Sequence, residues 1–299
     1  MADARNHSAG HYMLSLDGEP SIVRKFDGGN ISAEVVVHNM GPTNVQMKHI
    51  STLKFEPFTL EIGMSMGKSL YEWIQASFDM AHIRKNGYMA AADFNYKAKS
   101  YRHFRDALIT EVGFPALSGA SKDPAYFTVK FDPEEITYAP GDDAALKGVV
   151  NTKQKKWLAS NFRVKIGDLP CASVSEVAAF SWKQGTVEDA VGEFRVNAKE
   201  PSKVEVPNIN LTIGAKDLKP WSDWFTEFVI KGNNGQEAEL SGTIEYLSPN
   251  TGEVLGAVEL FNVGIFKLTE QTTESNKDAI KRFTVDLYCE TMKLRLDYV

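Results

Sequence analysis

Phe58-Thr59-Leu60-Glu61-Ile62-Gly63 is followed ten residues after its glycine by Trp73, and Ile209-Asn210-Leu211-Thr212-Ile213-Gly214 is followed in the same way by Trp224. In both runs apolar and polar residues alternate, the period of a half-buried strand, and a glycine breaks the alternation ahead of a helix. Leu60 and Leu211, Gly63 and Gly214, Lys68 and Lys219, and Trp73 and Trp224 all stand at one offset of 151. At the same offset Val112-Gly113-Phe114 meets Val263-Gly264-Ile265 and Leu117 meets Leu268, while Phe127-Thr128-Val129 returns as Phe283-Thr284-Val285 at 156. The pattern reads as a tandem duplication of a domain of roughly 140 residues, in line with the usual domain size. It divides the chain into a first domain over 1–139, a linker over 140–160 and a second domain over 161–299.

Outward from these runs, each copy opens on an alternating strand, Tyr12–Leu16 closed by Asp17-Gly18 and Phe162–Ile166 closed by Gly167-Asp168. The helix after the glycine is clearest in both. Ser69-Leu70-Tyr71-Glu72 has the spacing of a capping box, with Leu70, Trp73 and Ile74 on one face. In the second copy Pro220 sits near the first turn, and Trp221, Trp224, Phe225 and Phe228 form one stripe. Trp73, Ile74, Trp221, Trp224 and Phe225 are therefore expected to anchor each helix to a sheet. Asn86-Gly87 and Asn234-Gly235 read as hairpin turns. The fold expected is mainly β: two tandem sandwich or barrel domains, each with one short flanking helix.

Two excursions, Gly28–Ser51 and Lys183–Val204, occupy corresponding places between the first strand and the strand before the helix. Long loops in compact domains are uncommon unless they have a function. Their strand-capable centres, Val35, Val36 and Val37 in one and Phe194 and Val196 in the other, suggest arms that contact neighbouring subunits.

Bulk properties exclude several classes. The chain of 299 residues is 43% hydrophobic and 24% charged with a net charge of −6, which disfavours a surface built to neutralise phosphates. Cys171 and Cys289 do not correspond between copies, so they form neither a disulfide framework nor a metal site. No apolar run reaches the length of a membrane span, and Met1–His7 lacks the apolar core of a signal peptide. Synthesis and assembly in the cytoplasm, with no membrane insertion, is the expectation.

No catalytic constellation stands out. Gly63-Met-Ser-Met-Gly67-Lys68-Ser69 lies between strand and helix as a phosphate loop does, but it has three residues between its glycines where four are needed. All six histidines (His7, His11, His38, His49, His82, His103) lie in the first half and none has metal-pair spacing. Glu134-Glu135 and Asp142-Asp143 read as solvated faces. Packing residues recur between the copies, and polar clusters do not. The expectation is no enzyme, and no catalytic, cofactor or metal residues.

Phe162–Ile166, Ser175-Glu176-Val177, the strand–glycine–helix with Trp221-Ser222-Asp223-Trp224, Gly242-Thr243-Ile244 and Val258–Val263 occur in an order and spacing that resembles the contractile phage tail-tube family, which includes the inner tubes of contractile injection systems. The resemblance covers about 161–297. It implies a structural protein whose rings stack into the hollow tube of a phage tail or injection particle, a passive conduit for DNA or protein cargo held without specificity, with sheath and baseplate proteins as further partners. A family subunit carries one such domain. Two per chain imply a trimeric ring with pseudo-sixfold symmetry, or alternatively a hexamer with one copy lining the bore. A tube initiator, cap or adaptor ring, and a monomeric β-domain that binds a ligand, are the competing readings.

Overall fold

The computed structural model describes residues 10–41, 45–146, 157–189, 196–271 and 281–296. The chain is mainly β. Its first half comprises β1 (His11–Leu16), β2 (Glu19–Val23), β3 (Lys25–Gly28), β4 (Ile31–Met40), β5 (Val45–Phe55), β6 (Phe58–Ile62), α1 (Lys68–Phe78), β7 (Lys85–Ala92), β8 (Ala98–Phe114), β9 (Leu117–Ser118), β10 (Phe127–Asp132) and β11 (Glu135–Pro140). The second half comprises β12 (Phe162–Ile166), β13 (Glu176–Val177), β14 (Phe180–Asp189), β15 (Ala198–Glu205), β16 (Ile209–Gly214), α2 (Leu218–Phe225), β17 (Leu240–Leu247), β18 (Val254–Glu270) and β19 (Arg282–Leu296). A π-helical turn, Thr226–Ile230, continues α2.

One sheet runs in the order β2-β1-β7-β8-β10-β6-β3 and another β12-β17-β18-β19-β16-β13-β9. In the first, the end strands β2 and β3 are separated by Arg24 alone, whose N–H donates to the Glu61 carbonyl. The sheet therefore rolls until its ends lie along one bent segment, but β2 and β3 do not pair with each other. The expected barrel is an open roll, because one strand bends at Arg24 to serve both ends of the sheet.

The two sheets share their registers. Leu14 faces Met89 and Leu16 faces Gly87 in the first half; Val164 faces Ile244 and Ile166 faces Gly242 in the second. The β7–β8 ladder slips between Lys85↔Ala107 and Gly87↔Phe104, and β17–β18 between Leu240↔Val263 and Gly242↔Leu260. Each slip holds a left-handed residue, Asp106 (φ 50°) and Asn262 (φ 53°), short polar types that tolerate this conformation. A second slip follows Ile109 on β8 and Ile265 on β18.

These registers correct the alignment read from sequence. Leu60 faces Val129 and Leu211 faces Val285, so the offset of 151 holds on β6 and β16. Gly87 corresponds to Gly242 at 155, and Val112 to Leu268 at 156, since they face Val129 and Val285. Val112-Gly113-Phe114 and Val263-Gly264-Ile265 therefore hold different places, as do Leu117 and Leu268. The drift arises where α2 runs on into its π turn and again in the longer β17–β18 connection.

Other local expectations also change. Asn86-Gly87 is no turn but lies within β7: Asn86 Oδ1 accepts the Asp106 N–H at 2.7 Å across the slip. A Cβ on Gly87 would fall 2.3 Å from the Ser15 carbonyl oxygen, so glycine is needed there for close strand approach. The capping box does not form. Gly67 is the N-cap of α1. Its N–H donates to Ser21 Oγ, and the Ser69 N–H donates to Glu19 Oε2, both at 2.9 Å. Side chains distant in sequence thus satisfy the helix N-terminus.

One continuous apolar core runs through both halves. Phe114 stacks on Phe180 with centroids 4.7 Å apart, and Phe127 contacts both Trp157 and Tyr246. Of the expected linker, residues 147–156 lie outside the described residues, while Leu146 and Trp157 on either side are buried.

Candidate assembly interface

The joint between the halves is a sheet extension. β14 enters the first-half sheet and pairs with β8, Phe180 opposite Phe114, Trp182 opposite Val112 and Lys183 opposite Glu111. Trp182 is buried against the edge of Phe78 from α1, with centroids 5.4 Å apart. Gln184 is buried within hydrogen-bonding distance (3.1 Å) of the His82 ring.

The outer part of the β14–β15 hairpin is held by charge. The Lys199 ammonium, itself buried, pairs with Asp132, while its amide donates to Glu134 Oε1 at 2.8 Å. Arg84 binds the Lys199 carbonyl and Glu200 Oε1. A buried lysine is tolerated because its charge is met by a carboxylate. Two further contacts close the joint. β9 pairs with β13, Leu117 opposite Val177. Tyr71 Oη and Gln75 Nε2 of α1 both donate to the Leu294 carbonyl of β19.

The described parts of the second-half excursion, 183–189 and 196–204, thus lie against the first half of their own chain. Phe194 is outside the described residues; Val196 is half-buried. The first-half excursion forms the separate two-stranded sheet β4–β5. Its ladder slips between Ala33 and Val35 as β14–β15 slips between Gln184 and Thr186, at a uniform offset of 151. Val35, Val36, Val37, Met47 and Ile50 on it are exposed, Val35 by 55% and Ile50 by 68%. An isolated hairpin is marginal in water, and an apolar one more so.

Among the helix anchors, Trp73, Ile74 and Trp221 are buried, while Trp224 and Phe225 are half-buried against the core. Trp73 Nε1 donates to the Ile83 carbonyl at 2.7 Å and Trp221 Nε1 to the Pro170 carbonyl at 2.9 Å. At the offset of 151, Trp221 stands where Leu70 does, so the fully buried indole of the second half is one helical turn earlier than that of the first.

Chemistry is sparse around these elements. Two amides of the loop that resembles a phosphate cradle, those of Gly67 and Ser69, are taken up by Ser21 and Glu19, and a carboxylate there opposes an anion. Among the described residues no group of three or more His, Cys, Asp or Glu side chains is placed to hold a metal, and no helix is long and apolar enough to cross a membrane. Both thiols are free, and burial pushes Cys289 up to about 12.

No known family model matches the chain, and no curated protein matches it. Among solved structures it is similar to a chain of the sheath–tube complex of an extracellular contractile injection system (PVC) in the extended state, at 19% identity and TM-score 0.38, over 46% of this chain and 88% of that one. It is similar to a chain of the anti-feeding prophage tube-terminating cap at 19% identity and TM-score 0.39, over 52% and 96%. It is also similar to Hcp1 from Flavobacterium johnsoniae at 15% identity and TM-score 0.29, over 45% and 99%.

Proposed function

We propose that the chain is a ring- and tube-forming structural protein of a contractile tail or injection system, built by tandem duplication of one tube-type domain (1–139 and 161–299, joined by 140–160). The joint between its halves carries this reading. The second half donates a hairpin to an edge of the first, and the first half has a hairpin of matching register, β4–β5, that pairs with no further strand among the described residues. Identical chains can therefore repeat the joint head to tail, and such heterologous contacts close into a ring when the rotation per step divides the circle. With two domains per chain, a six-domain ring needs three chains. Ring closure also removes the sheet edges that expose a free β protein to aggregation.

In this role the chain performs no reaction and binds no cofactor. Cargo, DNA or protein, passes through the bore without being recognised, and sheath and baseplate proteins contact the outside and end of the tube. Assembly begins in the cytoplasm and ends in a virion tail or injection particle. Electron microscopy with native mass measurement tests the reading. Rings of three chains with six lobes that stack into tubes are expected. A stable monomer would refute assembly, and a six-chain ring would favour one copy lining the bore. The two hairpins differ in character, valines on β4 against Lys183, Glu188 and Lys199 on β14–β15. That asymmetry favours, as the second reading, a junction ring at a tube end, for which assembly stops at one ring.

A further inference from the structure

The joint inside the chain uses one of two matching sets of strand edges; among the described residues the other set, on β4 and β18, pairs with no further strand. On β18, β17 covers one side only as far as Val263, while β19 follows the other side to Glu270. Among the described residues no strand pairs with 264–270 on the β17 side. The corresponding stretch of β8 is where β14 binds. We propose that β4–β5 of one chain adds to this open edge of β18 in a second copy, in the register that β14 takes on β8. The proposal rests on the ring reading and gives it a defined joint.

The register follows from the shared slips, at an offset of 151 between the hairpins and 156 between the long strands. Phe180–Lys183 opposite Phe114–Glu111 becomes residues 29–32 of one chain opposite 270–267 of the next. Ser32 then faces Lys267 and Ile31 faces Leu268.

The side chains agree with this placement. Trp182 against Phe78 becomes Ile31, half-buried against its own core in the free chain, beside Val229, which is 41% exposed. The Lys199 amide, which donates to Glu134, becomes the Lys48 amide beside Glu290, and the exposed side chains of Lys48 and Glu290 are opposite in charge. Arg84 with Glu200 becomes Glu239, which accepts from Asn262 and Tyr288 in its own chain, beside the His49 ring. In the isolated chain the donor segment is held by Tyr138, half-exposed on β11. Its hydroxyl accepts the Ile31 N–H at 3.0 Å and donates to the Gly29 carbonyl at 3.3 Å. A movable side chain thus satisfies backbone groups that an arriving strand edge takes over.

The test pairs Ser32→Cys with Lys267→Cys in the full chain, assembled and oxidised, with each single variant as control. The double variant should give covalent dimers and trimers on non-reducing gels, in the ring fraction alone, and the single variants none. Independently, Lys48→Glu should reduce the ring fraction at least tenfold, and Lys48→Glu with Glu290→Lys should restore most of it. Rings seen by electron microscopy without cross-links and without charge rescue would overturn this joint and leave the ring reading standing. A chain that stays monomeric under all conditions would overturn both.

Discussion

Trp182 and Phe78 meet edge-on with their planes at 77°, although one lies on the hairpin of the second half and the other ends the helix of the first. Both are buried, so the halves share core at this point and do not merely touch. Trp182→Ala should cost about 3–5 kcal/mol and weaken the coupling between halves. Urea denaturation followed by far-UV circular dichroism should show a lower midpoint and a broadened or two-step transition. An unchanged midpoint would show that the joint contributes nothing to stability.

Gly87 and Gly242 stand at matching register positions but differ in what surrounds them. A Cβ at Gly87 would meet the Ser15 carbonyl oxygen at 2.3 Å and Phe104 Cζ at 2.8 Å; at Gly242 the nearest atom is Ile166 Cδ1 at 2.5 Å. Backbone cannot yield, whereas the tip of an isoleucine can rotate. Gly87→Ala should therefore destabilise by about 3 kcal/mol and Gly242→Ala by about 1 kcal/mol, read from denaturation midpoints. Equal losses would contradict the distinction.

Much of the fold was legible where local pattern decides structure. The alternation in Phe58–Ile62 and Ile209–Ile213 marks strands, and the apolar stripes mark the helices after them. What was not legible depends on partners distant in sequence. Nothing near Ser69 tells that Glu19 and Ser21 occupy the helix N-terminus. Asn86-Gly87 has turn chemistry, yet the glycine is there because Ser15 passes close by. The offset drifts to 156 because α2 is extended, and an ungapped comparison cannot separate Val263 as partner of Val112 from Val263 as partner of Ala107. The candidate arms were visible as excursions. That β14 would pair with β8 was not, since Phe180 and Phe114 are brought together only by the folded sheet.

Glu245 supplies a pH dependence. Burial favours its neutral form, but hydrogen bonds from Lys165 (2.7 Å) and Arg163 (2.6 Å) outweigh it and hold the carboxyl below its usual range. A carboxylate with a depressed folded pKa stabilises above its unfolded pKa and loses that contribution as pH falls through the folded value. Glu245→Gln should therefore cost about 1–2 kcal/mol at neutral pH, discounted because both cations are half-exposed. The difference from the unsubstituted chain should shrink as pH falls through and below the ordinary carboxylate range. A difference that grew on acidification would contradict the assignment.

The helix indoles should separate by burial. Trp73→Ala and Trp221→Ala each remove a buried ring whose N–H donates to a carbonyl, and about 3–5 kcal/mol is expected for each. Trp224 is half-buried, and its buried Nε1 makes no hydrogen bond among the described residues, so Trp224→Ala should cost only about 1–2 kcal/mol. The ranking is checked by thermal and urea unfolding of the three variants. A loss at Trp224 as large as at Trp221 would mean that the second helix is anchored by both rings equally.

The last prediction separates assembly from stability. Val35 and Ile50 face each other across the β4–β5 ladder and are exposed in the single chain. Replacing both with Lys removes no core contact, so the unfolding midpoint should shift by no more than about 0.5 kcal/mol in free energy. Burying two ammonium groups at a chain-to-chain contact, by contrast, carries a desolvation penalty of several kcal/mol. Size-exclusion chromatography and electron microscopy of the double variant should therefore show a folded protein that no longer forms rings or tubes. If it assembles as the unsubstituted chain does, the apolar hairpin is a surface feature and the contact between chains lies elsewhere.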